Sequence, residues 1–159
     1  MNKNIEQLKR IAEDMGVPFI FESYPRLSLQ LDKVKRGSDK AVQAPFGSFP
    51  VCICLQPVSG VWNVHPMTGE RRERQNCIIV FADAMPFDFT GEQAEAISEA
   101  LKEKATEFID RINASGHFEP IYGQVSYKVG YDRFDACLCL VTMEFVLSPL
   151  YGECAKTEF

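Results

Sequence analysis

The spacing of hydrophobic positions changes several times along this chain, and each change marks an element. Ile5, Leu8, Ile11, Ala12 and Met15 recur at helical spacing, so residues 2–15 read as a short amphipathic helix. Gly16 is placed to end it, and Pro18 prevents its continuation. From Phe19 to Val34 the period becomes two. Leu27, Leu29 and Leu31 alternate with Ser28, Gln30 and Asp32, the pattern of a strand with one wet face, broken or bulged at Pro25. Pro50 to Leu55, PVCICL, is apolar throughout and predicts a strand buried on both faces. Short strands are expected over Val58 to Val64 and over Cys77 to Ala82.

The clearest helix signal covers residues 90–114. Thr90 and Gln93 fit a capping box, and Ile97, Leu101, Ala105, Phe108 and Ile112 form one apolar stripe. Two long strands are expected after it, Phe118 to Tyr131 and Ala136 to Leu147. The Asp132–Asp135 connection makes them a hairpin. In the second strand the odd positions from Cys137 to Leu147 are the drier face. Two polar stretches follow no hydrophobic period: 35–47 reads as a long flexible loop or hairpin arm, and 65–76 as a long loop turning at Thr68-Gly69. The expected order is α-β-β-β-(β)-β-α-β-β. This implies an α+β fold with a mostly antiparallel sheet of four to six strands and helices on one face. A single domain over 1–148 with a short polar tail over 149–159 fits the 159-residue length.

Composition narrows the picture further. The chain is 46% apolar and 25% charged, enough for a core and unlike a disordered chain. No apolar run reaches the ~18–20 residues of a membrane helix, and MNKNIEQLKR lacks a signal-peptide core, so a cytoplasmic location with no membrane partner is expected. The six cysteines are then expected to be reduced. Cys52/Cys54 and Cys137/Cys139 alternate inside apolar strands, where C-x-C suits packing better than the turn-borne C-x₂₋₄-C of a zinc site. The net charge of −5 is uneven. Residues 1–80 carry 11 Lys/Arg against 8 Asp/Glu, and residues 81–159 carry 6 against 14. That profile does not suit a protein that reads nucleic acid through one basic face.

Candidate chemistry is sparse. No nucleotide-binding, nucleophile-elbow or zinc-protease motif is present. His117 follows a helix end, where it suits the helix dipole, and His65 precedes a proline in a polar stretch. A thiol enzyme would have to pair Cys77 or Cys154 with one of these. Asp132, Asp135 and Glu119 are a nominal carboxylate cluster, but Asp is routine in turns. Trp62, Phe49 and Tyr24 could line a ligand or peptide pocket under the long loops. No catalytic residue, metal ligand or cofactor is assigned. The less ordinary feature is charge placement. Glu92, Glu95, Glu99, Glu103 and Glu107 make an acidic ridge opposite the apolar stripe of 90–114. Lys33, Lys35, Arg36 and Lys40 with Arg71, Arg72 and Arg74 crowd the two polar stretches. The interaction candidates are therefore Lys35, Arg36, Lys40, Arg71, Arg72, Arg74, Glu95, Glu99, Glu103 and Glu107.

From Ile78 onward the order of elements carries a resemblance. IIVFAD is followed by PFDFTGEQAEAISEALKEKATEFIDRINASGHFEPI, then a strand, YDRFDA, and the closing strand LCLVTMEFVLSP. A strand, an acidic amphipathic helix and a hairpin in this order resemble the tail-terminator and tail-completion group of bacteriophages and prophages. The resemblance covers about half the chain and implies a non-enzymatic α+β virion subunit. It also implies a homo-oligomeric ring, typically a hexamer, at the head-proximal end of a tail, with other tail proteins as partners. The alternative left open is a small-ligand- or peptide-binding α+β domain.

Overall fold

The computed structural model describes residues 2–23, 25–27, 49–86, 88–131 and 138–150. Its elements are α1 (Lys3–Asp14), β1 (Phe19–Ser23), β2 (Val51–Gln56), β3 (Ser59–Val64), β4 (Arg71–Ala84), α2 (Gly91–Ala114), β5 (Tyr127–Tyr131) and β6 (Leu138–Leu147). The fold is α+β, with six strands in one sheet ordered β1-β2-β4-β6-β5 and β3 paired to β4 beside that path. Only β1 and β2 run parallel, and the other pairings are antiparallel.

Both long helices lie on one face of the sheet. Asn2 caps α1 by accepting from the Ile5 amide (2.9 Å), and Ile5, Leu8, Ile11 and Ala12 are buried. Thr90 caps α2 in the expected box. Its Oγ1 accepts from the Gln93 amide (3.2 Å), while Gln93 Oε1 accepts from the Thr90 amide (2.9 Å). Leu101, Ala105, Phe108 and Ile112 are buried as the stripe requires, and Ile97 is half-buried against the same core. Phe108 meets Phe81 of β4 edge-on, with centroids 5.6 Å apart.

The sheet's two faces have separate cores. Cys52, Cys54, Cys77, Ile79, Phe81, Val141 and Met143 face the helices. Val51, Ile53, Val80, Ala82, Leu138 and Leu140 line the other face with Leu27 and Phe49. This explains why PVCICL is apolar throughout. Leu27, after β1, and Phe49, before β2, both lie on that far face. In β6 the odd positions from Cys139 to Leu147 are all buried, and the even face becomes wet from Thr142 onward.

Three expectations need correction. The regular strand over Phe19–Val34 ends at Ser23, and residues 25–27 are helical; the continuation from Ser28 lies outside the described residues. The loop expected over 65–76 is only the turn 65–70, because β4 starts at Arg71. The strand expected over Phe118–Tyr131 shrinks to β5, with only an isolated bridge between Phe118 and Pro149 before it. Pro120 has no amide to donate and Gly123 sits at φ +81°, so a ladder cannot run through them. Asn113 holds the same segment to α2 instead, donating to the Ile121 carbonyl (3.0 Å) and accepting from its amide (2.7 Å). Pro149 and Leu150 belong with the fold, since the Leu150 amide donates to the His117 carbonyl (3.0 Å). The rest of the expected tail, from Tyr151, lies outside the described residues.

Candidate interaction surfaces

Strands β2 and β3 follow one another along the same side of β4. Cys54 faces Ile79 and Ser59 faces Asn76, so residues 55–58 span only residues 77 and 78 of the partner. That two-residue excess is a bulge at Gln56–Val58, where Pro57 has no amide for the ladder. Beyond it, β3 and the first part of β4 form an arm. β6 stops at the pair Leu147–Gln75, so below Gln75 the arm has two strands and is exposed along all of β3.

The arm is well built despite its exposure. A Cβ on Gly60 would run into the Arg74 carbonyl and the Gln75 backbone, so the strands approach here as only glycine permits. At the tip the His65 amide donates to the Glu70 carbonyl (2.8 Å) and the Gly69 amide to the His65 carbonyl (2.9 Å). His65 Nδ1 accepts from the amides of Met67 and Thr68, each at 3.2 Å. The turn falls at Thr68-Gly69 as expected, with Gly69 at φ +70°. At the base, Asn4 of α1 donates to buried Gln75 (2.9 Å), fixing the arm to the helical layer.

Register divides the arm's side chains between two faces. Trp62 faces Glu73 and Val64 faces Arg71, on the side that carries Gln75, Cys77 and Ile79, which the helices cover further along. Val61 faces Arg74 and Asn63 faces Arg72, on the opposite side. Arg71, Arg72 and Arg74 therefore do not form one basic patch, although the sequence runs them together. Arg71 stands with Trp62 and Val64. Arg74 donates from Nε to Ser148 Oγ (3.0 Å) and lines an open groove of about 180 Å³ with Arg72, Asn63, Glu119 and Ser148. Lys35, Arg36 and Lys40 lie outside the described residues.

The acidic ridge is exposed as the periodicity requires, at Glu95, Glu99, Glu103 and Glu107. Within the helix, Glu99 pairs with Lys102 (2.8 Å) and Glu107 with Arg111 (3.0 Å). Such exposed pairs contribute little to stability, because solvent screens them. The Glu99 carboxylate raises the Lys102 ammonium above its ordinary range, with Tyr127 adding to the effect. Lys102 Nζ lies 4.9 Å from the centre of the Tyr127 ring. The ridge therefore borders the edge strand β5.

That edge is a surface the sequence reading missed. Tyr127, Val129 and Tyr131 pair with Met143, Val141 and Cys139, so their side chains stand on the helix-bearing side beyond α2. They are 56%, 38% and 47% exposed. Among the described residues no strand pairs with the outer edge of β5. The available signal was the alternation Tyr-Lys-Val-Gly-Tyr, which reads as core until a sheet edge is known. The exposed large hydrophobic residues thus form two groups. Among the described residues, Val61, Trp62, Val64 and Met67 lie on the arm, Tyr122, Tyr127, Val129 and Tyr131 in or before β5, and only Val146 stands apart.

The remaining candidates separate. Trp62 is 71% exposed on the helix side of the arm, and Phe49 packs in the far-face core, so the two do not share a pocket; Tyr24 is not described. Cys52, Cys54, Cys77 and Cys139 are free thiols buried in the sheet, while Cys137 and Cys154 lie outside the described residues. Burial pushes Cys77 up to about 12, the opposite of an activated thiolate. Asp132 and Asp135 are not described, and Glu119 borders the groove with Arg72 and Arg74. Among the described residues no cluster of His, Cys, Asp or Glu could hold a metal, and no helix is long and apolar enough to cross a membrane. Compared with known proteins, the chain matches no family model and no curated protein.

Proposed function

We propose that the chain is a non-enzymatic structural subunit of a phage or prophage virion that assembles with its own copies into a ring. In this reading it serves as a tail-terminator or tail-completion protein at the head-proximal end of the tail. The observation that carries the reading is the division of exposed apolar side chains into two unlike surfaces, one on the arm and one at the β5 edge. Two different patches suit head-to-tail contacts, which close into rings when the rotation between copies permits. The resemblance of the segment from Ile78 onward to tail-terminator proteins supports the same reading.

The alternative reading places a small ligand or peptide under the long loops beside Trp62, Phe49 and Tyr24, and of these Trp62 and Phe49 lie on opposite sides of the sheet. The groove beside Arg72 and Arg74, at about 180 Å³ and open on one side, is smaller than the ~300–1,000 Å³ of ordinary ligand pockets. Electron microscopy of the purified chain at high protein concentration tests the proposal. Closed annular particles of uniform diameter are expected. A field of single subunits at every concentration would contradict it.

A further inference from the structure

Resting on that reading, we infer that the arm of one copy seats on the β5 edge of the next. In this contact Trp62 and Val64 meet Tyr127, Val129 and Tyr131, and Arg71 meets the carboxylate of Glu99. Three observations carry this pairing. The first is apolar complementarity. Trp62, Val64 and Arg71 share one face of the arm, and Tyr127, Val129 and Tyr131 share one face of the edge. Each group is exposed within its own chain.

The second is charge. Each apolar group is bordered by one cation and one anion, Arg71 and Glu73 on the arm and Lys102 and Glu99 at the edge. Arg71 stands directly across from Val64 on the arm. Glu99 stands beside Tyr127 through Lys102, whose ammonium lies over the ring and 2.8 Å from the Glu99 carboxylate. Seated there, Arg71 pairs with Glu99 and Glu73 with Lys102, a match that fixes register.

The third is geometry. Both groups lie on the helix-bearing side of the sheet but on different strands, the arm extending from the start of β4 and β5 forming the far edge. A copy using its arm therefore keeps its edge free for another copy. Aromatic side chains bury roughly 150–250 Å² each, so one such contact is smaller than a standard interface of ~800 Å² per partner. Closing a ring gives every copy two contacts, and the closing contact forms at high effective concentration.

The test places a photo-activatable benzoyl-phenylalanine at position 62 and irradiates a mixture of light and heavy-isotope chains. Position 62 is exposed, and a thermal melt checks that the substituted chain keeps its fold. The expected product is a light–heavy dimer whose cross-link maps to residues 127–131. In the same experiment Tyr127→Asp is expected to lower its yield at least tenfold. Cross-links from position 62 to the arm of the other copy, or none while the wild type is assembled, would overturn this pairing and leave the ring reading standing. A wild type that is monomeric at every concentration would overturn both.

Discussion

Gly60 approaches the Arg74 backbone so closely that any Cβ at position 60 would run into the Arg74 carbonyl. The whole arm depends on this approach, because beyond Gln75 its two strands have only each other. A two-stranded ribbon in water is marginal, so a single obstruction at its base matters more than its position in the chain suggests.

Gly60→Val is expected to open the arm and leave the core intact. Hydrogen exchange should show the amides of Val61 to Val64 losing protection, while those of Ile79 to Ala82 keep theirs. The global denaturation midpoint should move little, since the side chains of β3 are exposed. An arm whose amides exchange as slowly in the variant as in the wild type would refute this account of its base.

Leu101→Ala is expected to cost about 2–5 kcal/mol, because Leu101 is 1% exposed between α2 and the sheet and the cavity cannot be filled from solvent. Ile97→Ala should cost less, since Ile97 is only half-buried. Urea denaturation of both variants checks the order. Equal losses would show the stripe to be packed differently.

The cysteines predict an alkaline limit to stability. Burial pushes Cys54 and Cys77 up to about 12 and raises Cys52 well above the usual thiol range. Thiols in an unfolded chain ionise near ~8.5, so above about pH 9 the unfolded state sheds protons that the folded state keeps. Stability should therefore be level through neutral pH and fall as pH rises from about 9 towards 12. Each such thiol adds at most about 1.4 kcal/mol per pH unit to the slope. Urea midpoints from pH 7 to 10.5 test this, with Cys77→Ala expected to flatten the decline. In the native state Ellman's reagent should leave Cys52, Cys54, Cys77 and Cys139 unreacted, and in denaturant all six cysteines should react.

How far the fold could be read in advance follows from how each element is buried. The helix α2 was legible because its cap and its stripe are both local signals spread over 24 residues. β2 and β6 were legible because burial on two faces, or on one, leaves a plain hydrophobic pattern. Arg71 to Asn76 reads as loop from its sequence because its side chains are all polar and Gln75 alone among them is buried, which leaves no apolar alternation to see. Its pairing is dictated by β3 across the ladder, not by its own side chains. The candidate site was legible only in part. The acidic ridge lies where the periodicity placed it. The three arginines are divided between two faces, which spacing alone shows only once the segment is known to be a strand. Tyr127, Val129 and Tyr131 went unnoticed because aromatic residues at period two look like core, and only sheet order reveals that β5 is an edge.

Trp62 is the sole tryptophan of the chain and reports directly on the arm. At low protein concentration its emission should be that of a solvated indole, readily quenched by acrylamide, since it is 71% exposed. As concentration rises, the emission should shift to the blue and quenching should fall together with the increase in particle mass. Assembly that leaves the emission unchanged would place the arm outside the contact.

The central claim is that copies of this chain associate head to tail into a closed ring, and sedimentation velocity over a wide concentration range tests it most directly. The account predicts two boundaries, a monomer and one discrete species of three or more copies. The larger species should weaken as salt rises, because charges separated by more than ~8–10 Å are screened near physiological ionic strength. A monomer at every concentration would contradict it, and so would a species that stops at the dimer or a series of ever larger species without an end point.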